Sequence, residues 1–311
     1  MPARKIEVIA PASIANLGPG FDVFGLALQE PHDVIEATVS SSMGARVVAV
    51  DGVGAKRVTL DERRNTAAVA ASEVLRRGKA DFGLEISITK GVRPCSGMGS
   101  SGASAAGAAY AANELLQKPL DRNELVLCAA KGEEASSGSL HADNVAPSLL
   151  GGFTLIRSYE PIDVVQVRPP SDLGIVAVLP DVIVPTKEAR GALPKSVELK
   201  RMVFQVGQAS SLAVGMCGGD LELIGRSVRD LVVEPARASL VPHLKEAEEA
   251  SLKAGALASF LGGSGPCVAS FFDKKQGKGR EIAEAVVQVF ASNGIKADSW
   301  VTSWGEGCRR K

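Results

Sequence analysis

The segment Gly91-Val-Arg-Pro-Cys-Ser-Gly-Met-Gly-Ser-Ser-Gly-Ala-Ser104 holds residue types that bind phosphate through the backbone. Gly97 and Gly99 remove Cβ atoms from a loop that must lie close to a ligand. Ser100 and Ser101 fall where a helix is expected to begin. Unpaired N–H groups and the positive end of the helix dipole favour an anion there. The Ala/Gly run that follows suits a helix packed tightly beneath the loop. Taken alone, the segment is open to three readings. It can be a plain turn before an Ala-rich core helix, or a cradle for phosphates. It also satisfies G-x-G-x-x-G from Gly97 to Gly102, the pattern of dinucleotide folds. Against that last reading, Arg93–Ser96 separate the pattern from its strand. The segment after the helix also reads as a second helix, where a dinucleotide fold needs a strand ending in an acidic residue. No G-x-x-x-x-G-K-[ST] occurs, which excludes a Walker loop.

The elements that position this loop are legible by period. Lys5–Ala10, Asp33–Ser40 and Gly83–Lys90 alternate as strands. Asn65 is placed to cap a helix running to Arg77, with Gly78 as its stop. The Ala-rich helix is expected from about Ser101 to Gln117, ended by Pro119. Asp121-x-x-Glu124 forms a capping box for the next helix. After a turn at Leu149–Phe153 the rhythm changes. Strands are expected at Asp163–Arg168 and Gly174–Leu179, then two polar-faced helices between about Ser196 and Arg229. A helix at Pro242–Lys253 precedes strands Leu257–Leu261 and Cys267–Phe272 around Gly-Gly-Ser-Gly-Pro. A helix at Arg280–Asn293 and a strand at Lys296–Val301 follow. The chain therefore divides near residue 160 into domains 1–160 and 161–311, the second compatible with a split β-α-β arrangement.

The bulk numbers limit the partners. Thirty-five Lys plus Arg balance 35 Asp plus Glu in 311 residues, and the pI is about 6.8. A nucleic-acid or membrane-surface protein would carry a basic excess, so neither partner is expected. No stretch approaches the ~18 apolar residues of a bilayer-spanning helix. The residues 1–14 lack the apolar run of a signal peptide. Five scattered cysteines and three histidines give no zinc spacing and point to a reducing cytoplasm.

Two further segments occur in order with the Gly/Ser loop: Pro11-Ala-Ser-Ile-Ala-Asn16-Leu-Gly-Pro-Gly-Phe21-Asp22 and Leu261-Gly-Gly263-Ser-Gly-Pro266. Together the three resemble the motifs of the GHMP kinase superfamily. The forms Asn16-Leu-Gly-Pro-Gly-Phe-Asp22 and His141-Ala-Asp143-Asn144-Val-Ala-Pro resemble its homoserine kinase family. The resemblance spans Ala10 to about Phe272 and departs only modestly. Met98 stands where the family usually has leucine, and Cys95 is at a variable position.

The resemblance implies an α+β, two-domain GHMP kinase fold. Its N-terminal ATP-binding domain contains a left-handed β-α-β unit, and its C-terminal domain is ferredoxin-like. It implies ATP as co-substrate, Mg2+, L-homoserine as acceptor, threonine biosynthesis as setting and a homodimer as assembly. Pro94, Cys95, Ser96, Gly97, Met98, Gly99, Ser100 and Ser101 would wrap the phosphates, with Asn65 near the nucleoside or serving only as a helix cap. Ser101 and Glu133 correspond to the magnesium ligands, with Glu133 preferred over Glu134 by spacing. For a zwitterionic acceptor, Asp22 and Asp143 would supply the anion, and Asn16 and His141 hydrogen bonds. Arg190 and Arg237 would supply the carboxylate clamp, with Thr186 and Gly263 beside them. His141 next to Asp143 reads as a structural pair and not as a base. Asn144 occupies the place where related kinases put an aspartate, so positioning by Asn16, Asp143 and Asn144 would carry catalysis, with Asp143 a possible proton acceptor. A different GHMP acceptor, an isoprenoid or sugar alcohol, and a non-catalytic nucleotide-binding regulator remain as alternatives.

Overall fold

The structure, a computed structural model, describes residues 4–311, apart from the side chain of Thr186. Strand β1 (Lys5–Asn16) pairs antiparallel with the long β2 (Gly20–Ser40), and β3 (Ala45–Gly52) follows. Helix α1 (Thr66–Arg77) then crosses over to β4 (Gly83–Lys90), which lies parallel to β3. Helices α2 (Ser100–Leu115), α3 (Arg122–Ser137) and α4 (Val145–Leu150) precede a hairpin of β5 (Phe153–Tyr159) and β6 (Ile162–Val167). β2 is long enough to pair with β4 near one end and β5 near the other.

A second sheet begins with β7 (Leu173–Pro180). After it come α5 (Thr186–Gly191), α6 (Leu199–Gly218), α7 (Leu221–Ser227), α8 (Val233–Arg237) and α9 (Leu244–Lys253). β8 (Ala258–Leu261), β9 (Val268–Asp273), α10 (Gly279–Ser292) and β10 (Ala297–Ser303) complete it. The strand order β10–β7–β9–β8 is that of a ferredoxin-like β-α-β-β-α-β domain. The chain then returns to the first sheet, where β11 (Arg309–Arg310) pairs with β1 at the edge. Two hydrophobic clusters fill the molecule: the larger runs from beneath the first sheet to one face of the second, and the smaller packs α9 and α10 on the other face of the second. No helix of the described residues is long and apolar enough to cross a membrane.

α2 is the buried spine of the first domain. Its small residues explain why: Ala and Gly leave room for α1, α3, α4 and both β1 and β2 to approach it closely. At Gly107 a Cβ would lie 2.5 Å from Cγ1 of Ile35 and 2.8 Å from Cβ of Ala10.

Several local expectations are corrected. β2 starts at Gly20, well before Asp33, because its first half is held by the core at Phe24–Leu28 and by β5. β3, absent from the sequence reading although Arg46–Val50 is largely apolar, is an edge strand secured by parallel pairing. The turn expected at Leu149–Phe153 is the last turn of α4 running into β5. The change of sheet falls between Val167 and Leu173, beyond residue 160, because β6 folds back along β5. Asp121 caps α3 by accepting from the Glu124 N–H at 2.9 Å, without a returning bond from the Glu124 side chain. α6 is not polar-faced, since its solvent side carries Leu199, Val203, Val206 and Val214.

Replacing an exposed helical glycine by alanine gains roughly 1 kcal/mol. Gly107→Ala is expected to do the reverse, losing about 1–3 kcal/mol of stability, because stiff Ile35 and the Ala10 Cβ cannot move aside. Urea unfolding midpoints of the two proteins check the sign.

Candidate active site

A cavity of about 430 Å³ opens between the two domains. Its floor is the loop from Pro94 to Gly99, which leads into α2. Cys95, Gly97 and Gly99 all have positive φ (59°, 75° and 64°), left-handed turns that fold the loop tightly along the cavity wall. Gly97 cannot carry a Cβ, which would sit 2.5 Å from the Gly262 carbonyl and 2.8 Å from that of Gly265. The loop is held from both domains. Ser13 N–H donates to the Met98 carbonyl and Cys267 N–H to that of Ser96, each at 3.1 Å. Met98 itself is buried in the core, so its side chain anchors the loop and is not offered to a ligand.

Beneath the loop lies a group the sequence reading missed. Lys90 and Asp33 form a buried ion pair. Lys90 Nζ also donates to the Ser100 carbonyl at 2.8 Å and to Ser104 Oγ at 2.9 Å. Asp33 Oδ1 accepts from the Gly91 and Val92 N–H groups, both at 3.0 Å. Burial drives the Lys90 pKa down while Asp33 opposes that shift. Lys90 was read only as the last residue of a strand; the sole available signal was a lysine ending an otherwise inward-facing alternation.

Ser101 and Glu133 do meet. Ser101 Oγ donates to Glu133 Oε2 at 3.1 Å, across the start of α2 and the body of α3. Glu133 is buried, and its Oε1 has no hydrogen-bond partner. Burial raises its pKa, against the pull of His141 and the Ser101 hydroxyl. An unpartnered buried carboxylate oxygen beside a hydroxyl fits a hard cation that keeps waters and phosphate oxygens as its other ligands. Among the described residues no cluster of three or more His, Cys, Asp or Glu forms a closed metal cage.

Asn65 caps α1, its Oδ1 accepting from Ala67 and Ala68 N–H at 3.0 and 3.2 Å, while it also lines the cavity. Arg57 and Arg64, which sequence reasoning passed over, line the same end.

At the opposite end the expected acceptor residues assemble. Asn16, Leu17 and Asp22 adopt positive φ (71°, 49° and 56°), so the Asn16–Asp22 turn is built from conformations that non-glycine residues adopt at a cost. Asn16 ties it down, with Nδ2 donating to the Gly263 carbonyl at 2.9 Å and Oδ1 accepting from Asp22 N–H at 3.2 Å. Arg190 donates through both Nη atoms to the Asp22 carboxylate, each at 3.0 Å. Its fork is therefore occupied by protein, and only its buried Nε lacks a partner. Arg237 is buried and uses Nε and Nη1 on the Ala189 and Gly263 carbonyls, each at 3.0 Å. Both guanidinium groups stack on Phe21, at 5.6 and 5.4 Å from its ring centre. Phe21, from the Asn16–Asp22 segment, is a further residue that sequence reasoning missed. Thr186 begins α5; its side chain lies outside the described residues.

His141 Nδ1 is 3.3 Å from Asp143 Oδ1, and both are buried. Burial lowers the His141 pKa, but the Asp143 and Glu133 carboxylates outweigh it and raise the value to about 9. At neutral pH His141 is thus a cation and no base. Asp22 is shifted upward by burial and by the nearby Asp143 carboxylate, against Arg190. Tyr159, also missed, joins these parts: its hydroxyl donates to the Asp22 carbonyl at 2.8 Å and accepts from Ala142 N–H at 3.2 Å. Asn144 Oδ1 accepts from Ser13 Oγ at 3.1 Å beside Gly99, so it braces the phosphate loop. The dinucleotide reading fails on topology, because α2 is followed by α3 and α4 and not by a parallel strand.

A glycine/serine loop facing a pocket of paired carboxylates and arginines defines a two-domain enzyme of the phosphate-handling kind. The family models described as the GHMP kinase N-terminal domain and the GHMP kinase C-terminal domain match residues 65–152 and 210–292. The chain belongs to the GHMP kinase family. It is 42% identical over 307 residues to a homoserine kinase of Halobacterium salinarum, covering 98% of this chain and 96% of that protein. The crystal structure of homoserine kinase from Cytophaga hutchinsonii is 37% identical, with a TM-score of 0.92 over 99% of this chain and 97% of its own. An L. major mevalonate kinase solved with R-mevalonate shares the fold at 16% identity, with a TM-score of 0.71 over 98% of this chain and 97% of its own.

Two predictions follow from the buried charges. Lys90→Met strands the Asp33 carboxylate and is expected to cost about 3–5 kcal/mol, measured by denaturant unfolding. In the second domain, Glu234 accepts from Leu261 N–H at 2.7 Å and steadies the Gly262–Gly265 turn. Burial raises its pKa to about 6, and that of neighbouring Glu248 to about 8. A carboxyl raised above its unfolded value of 4.5 binds its proton more tightly when folded, so stability falls as pH rises from about 4.5 through 8. Glu248→Gln is expected to flatten that loss, and thermal midpoints of both proteins between pH 5 and 9 test it.

Proposed function

We propose that the chain transfers the γ-phosphoryl group of ATP to the side-chain hydroxyl of L-homoserine, giving O-phospho-L-homoserine for threonine synthesis in the cytoplasm. The observation carrying this reading is the pocket end at which Asp22, Asp143, Arg190 and Arg237 converge opposite the phosphate loop. Carboxylates and guanidinium groups side by side suit an amino acid, whereas a neutral alcohol needs neither. The relatives named homoserine kinase support the same acceptor.

In this reading the loop Pro94–Ser101 wraps the phosphates, donating from its free N–H groups after Pro94, with Arg57, Arg64 and Asn65 at the nucleoside end. Ser101 and Glu133 would hold Mg2+, which supplies charge neutralisation on the phosphates when bound. Phosphoryl transfer demands alignment and charge stabilisation more than covalent chemistry. Asn16 and Asn144 spend their amide oxygens on the protein, and Asn16 its nitrogen too, so they act by holding the acceptor turn and the loop in place. Protonated His141 balances Asp143 and Glu133. Asp143, which lines the cavity with its Oδ1 facing the His141 imidazolium, is the carboxylate left to take the hydroxyl proton. The substrate ammonium faces Asp22 and Asp143, and its carboxylate faces Arg237 and the Arg190 Nε. The five free cysteines are in keeping with a reducing compartment, and the working assembly is a homodimer.

A coupled ADP-release assay with magnesium-ATP should show turnover with L-homoserine and none with mevalonate, galactose or L-serine. Arg237→Met should raise KM for homoserine about 10- to 100-fold with a smaller change in kcat. Turnover of mevalonate, or an unchanged KM in the variant, would discard the carboxylate clamp.

A further inference from the structure

α6 presents an unusual face. Leu199, Val203, Val206 and Val214 are 70%, 63%, 58% and 62% exposed, and Met202 beside them is 48% exposed. Val197 and Leu231 extend the same apolar ground at its N-terminal end. The residues recur as Leu199, Val203, Val206, Ser210, Ala213 and Cys217, spaced 4, 3, 4, 3 and 4, the period of a helix–helix seam. A soluble surface rarely leaves such a stripe bare.

We infer that this face is where two copies of the chain pair, their α6 helices antiparallel about a two-fold axis that passes between them at the level of residue 208. The inference rests on the homodimer reading above and assigns its surface. Three features select a second copy in this orientation. The seam is self-complementary about position 208, so Leu199 meets the position of Cys217, Val203 that of Ala213 and Val206 that of Ser210, as an isologous contact requires. Near its centre Gly207 has open space where a Cβ would be, and Ser210 is small and exposed, so the backbones can approach. The ends carry opposite charge: Lys195, Lys200 and Arg201 at the N-terminal end, Asp220 and Glu222 just past the C-terminal end. Glu198, the exception, lies 4.0 Å from Arg201 within its own chain. Antiparallel pairing sets lysines against carboxylates and opposes the two helix dipoles, while parallel pairing would set like charges together.

The inner side of α6 links this surface to the pocket. Gln205 Nε2 donates to the Pro19 carbonyl at 3.4 Å, inside the Asn16–Asp22 turn, and to Asp230 Oδ1 at 2.7 Å. Asp230 in turn accepts from Val233 and Glu234 N–H groups at the start of α8, which carries Arg237. Pairing of α6 therefore backs both walls of the acceptor end.

Sedimentation velocity over a concentration series tests the assignment, with the homoserine assay run on the same samples. The unaltered chain is expected to be a dimer. Val206→Glu, which buries two carboxylates near the axis, should weaken association about 100-fold or more while the circular dichroism spectrum is unchanged. Lys200→Glu should weaken it less, and adding Glu222→Lys should restore it. A monomeric parent would overturn the homodimer and this interface together. A dimeric parent whose Val206→Glu form stays dimeric would overturn the interface alone. A dimer broken by Val206→Glu yet indifferent to Lys200→Glu would overturn the antiparallel arrangement.

Discussion

The ion pair between Asp33 and Lys90 is the constraint on which the site depends. Asp33 comes from the middle of β2, Lys90 from the end of β4, and their shared partners are the first backbone groups of the loop and the first turn of α2. A glycine-rich loop has high conformational entropy when free. Here its entry is pinned by two N–H bonds to one carboxylate, and its exit by one ammonium. A buried pair is weak evidence for stability, since an apolar replacement often serves as well. What an apolar pair could not do is satisfy Gly91, Val92 and Ser100 at once.

From that fixed floor the second domain closes the pocket by small contacts. Gly263 N–H donates to the Ala15 carbonyl at 3.2 Å, and the Gly263 carbonyl accepts from both Asn16 and Arg237. The backbone of the one residue Gly263 thus joins the acceptor turn and the arginine, and it lies against Gly97 of the phosphate loop. Arg93 and Asp181 add an ion pair across the same border. The acceptor end owes its form to this convergence, with Asp22 already holding Arg190 in a fork. An incoming amino acid must share or exchange that pair, so its affinity is set against an existing bond and not against bare charge.

What was legible in the sequence was local. The Gly/Ser loop, the Asn65 cap and the strand at Gly83–Lys90 each announce themselves within a dozen residues, and they were read correctly. The motif segments carried Asn16, Asp22, His141, Asp143, Arg190 and Arg237 to one cavity, although no period or spacing could have said that they meet. The misses are non-local. Lys90 and Tyr159 matter through partners 57 and 137 residues away. β3 takes its place at the sheet edge from its parallel pairing with β4. The outer face of α6 was expected to be polar, like the whole stretch between Ser196 and Arg229. Apolar residues in fact lie on both sides of that helix, Leu212 and Met216 inward and Val203 and Val206 outward.

The return of the chain to its first sheet also orders its synthesis. β1 offers a bare hydrogen-bonding edge until Arg309 and Arg310 pair with it, and residues 304–308 lay bridges onto Leu28 and Gly151 on the way. A ribosome delivers those residues only after the whole second domain has emerged. The nascent first domain must therefore wait with an open edge, the condition in which strands recruit neighbours. Exposed Lys5 and half-buried Glu7 on β1 place charge along that edge during the interval.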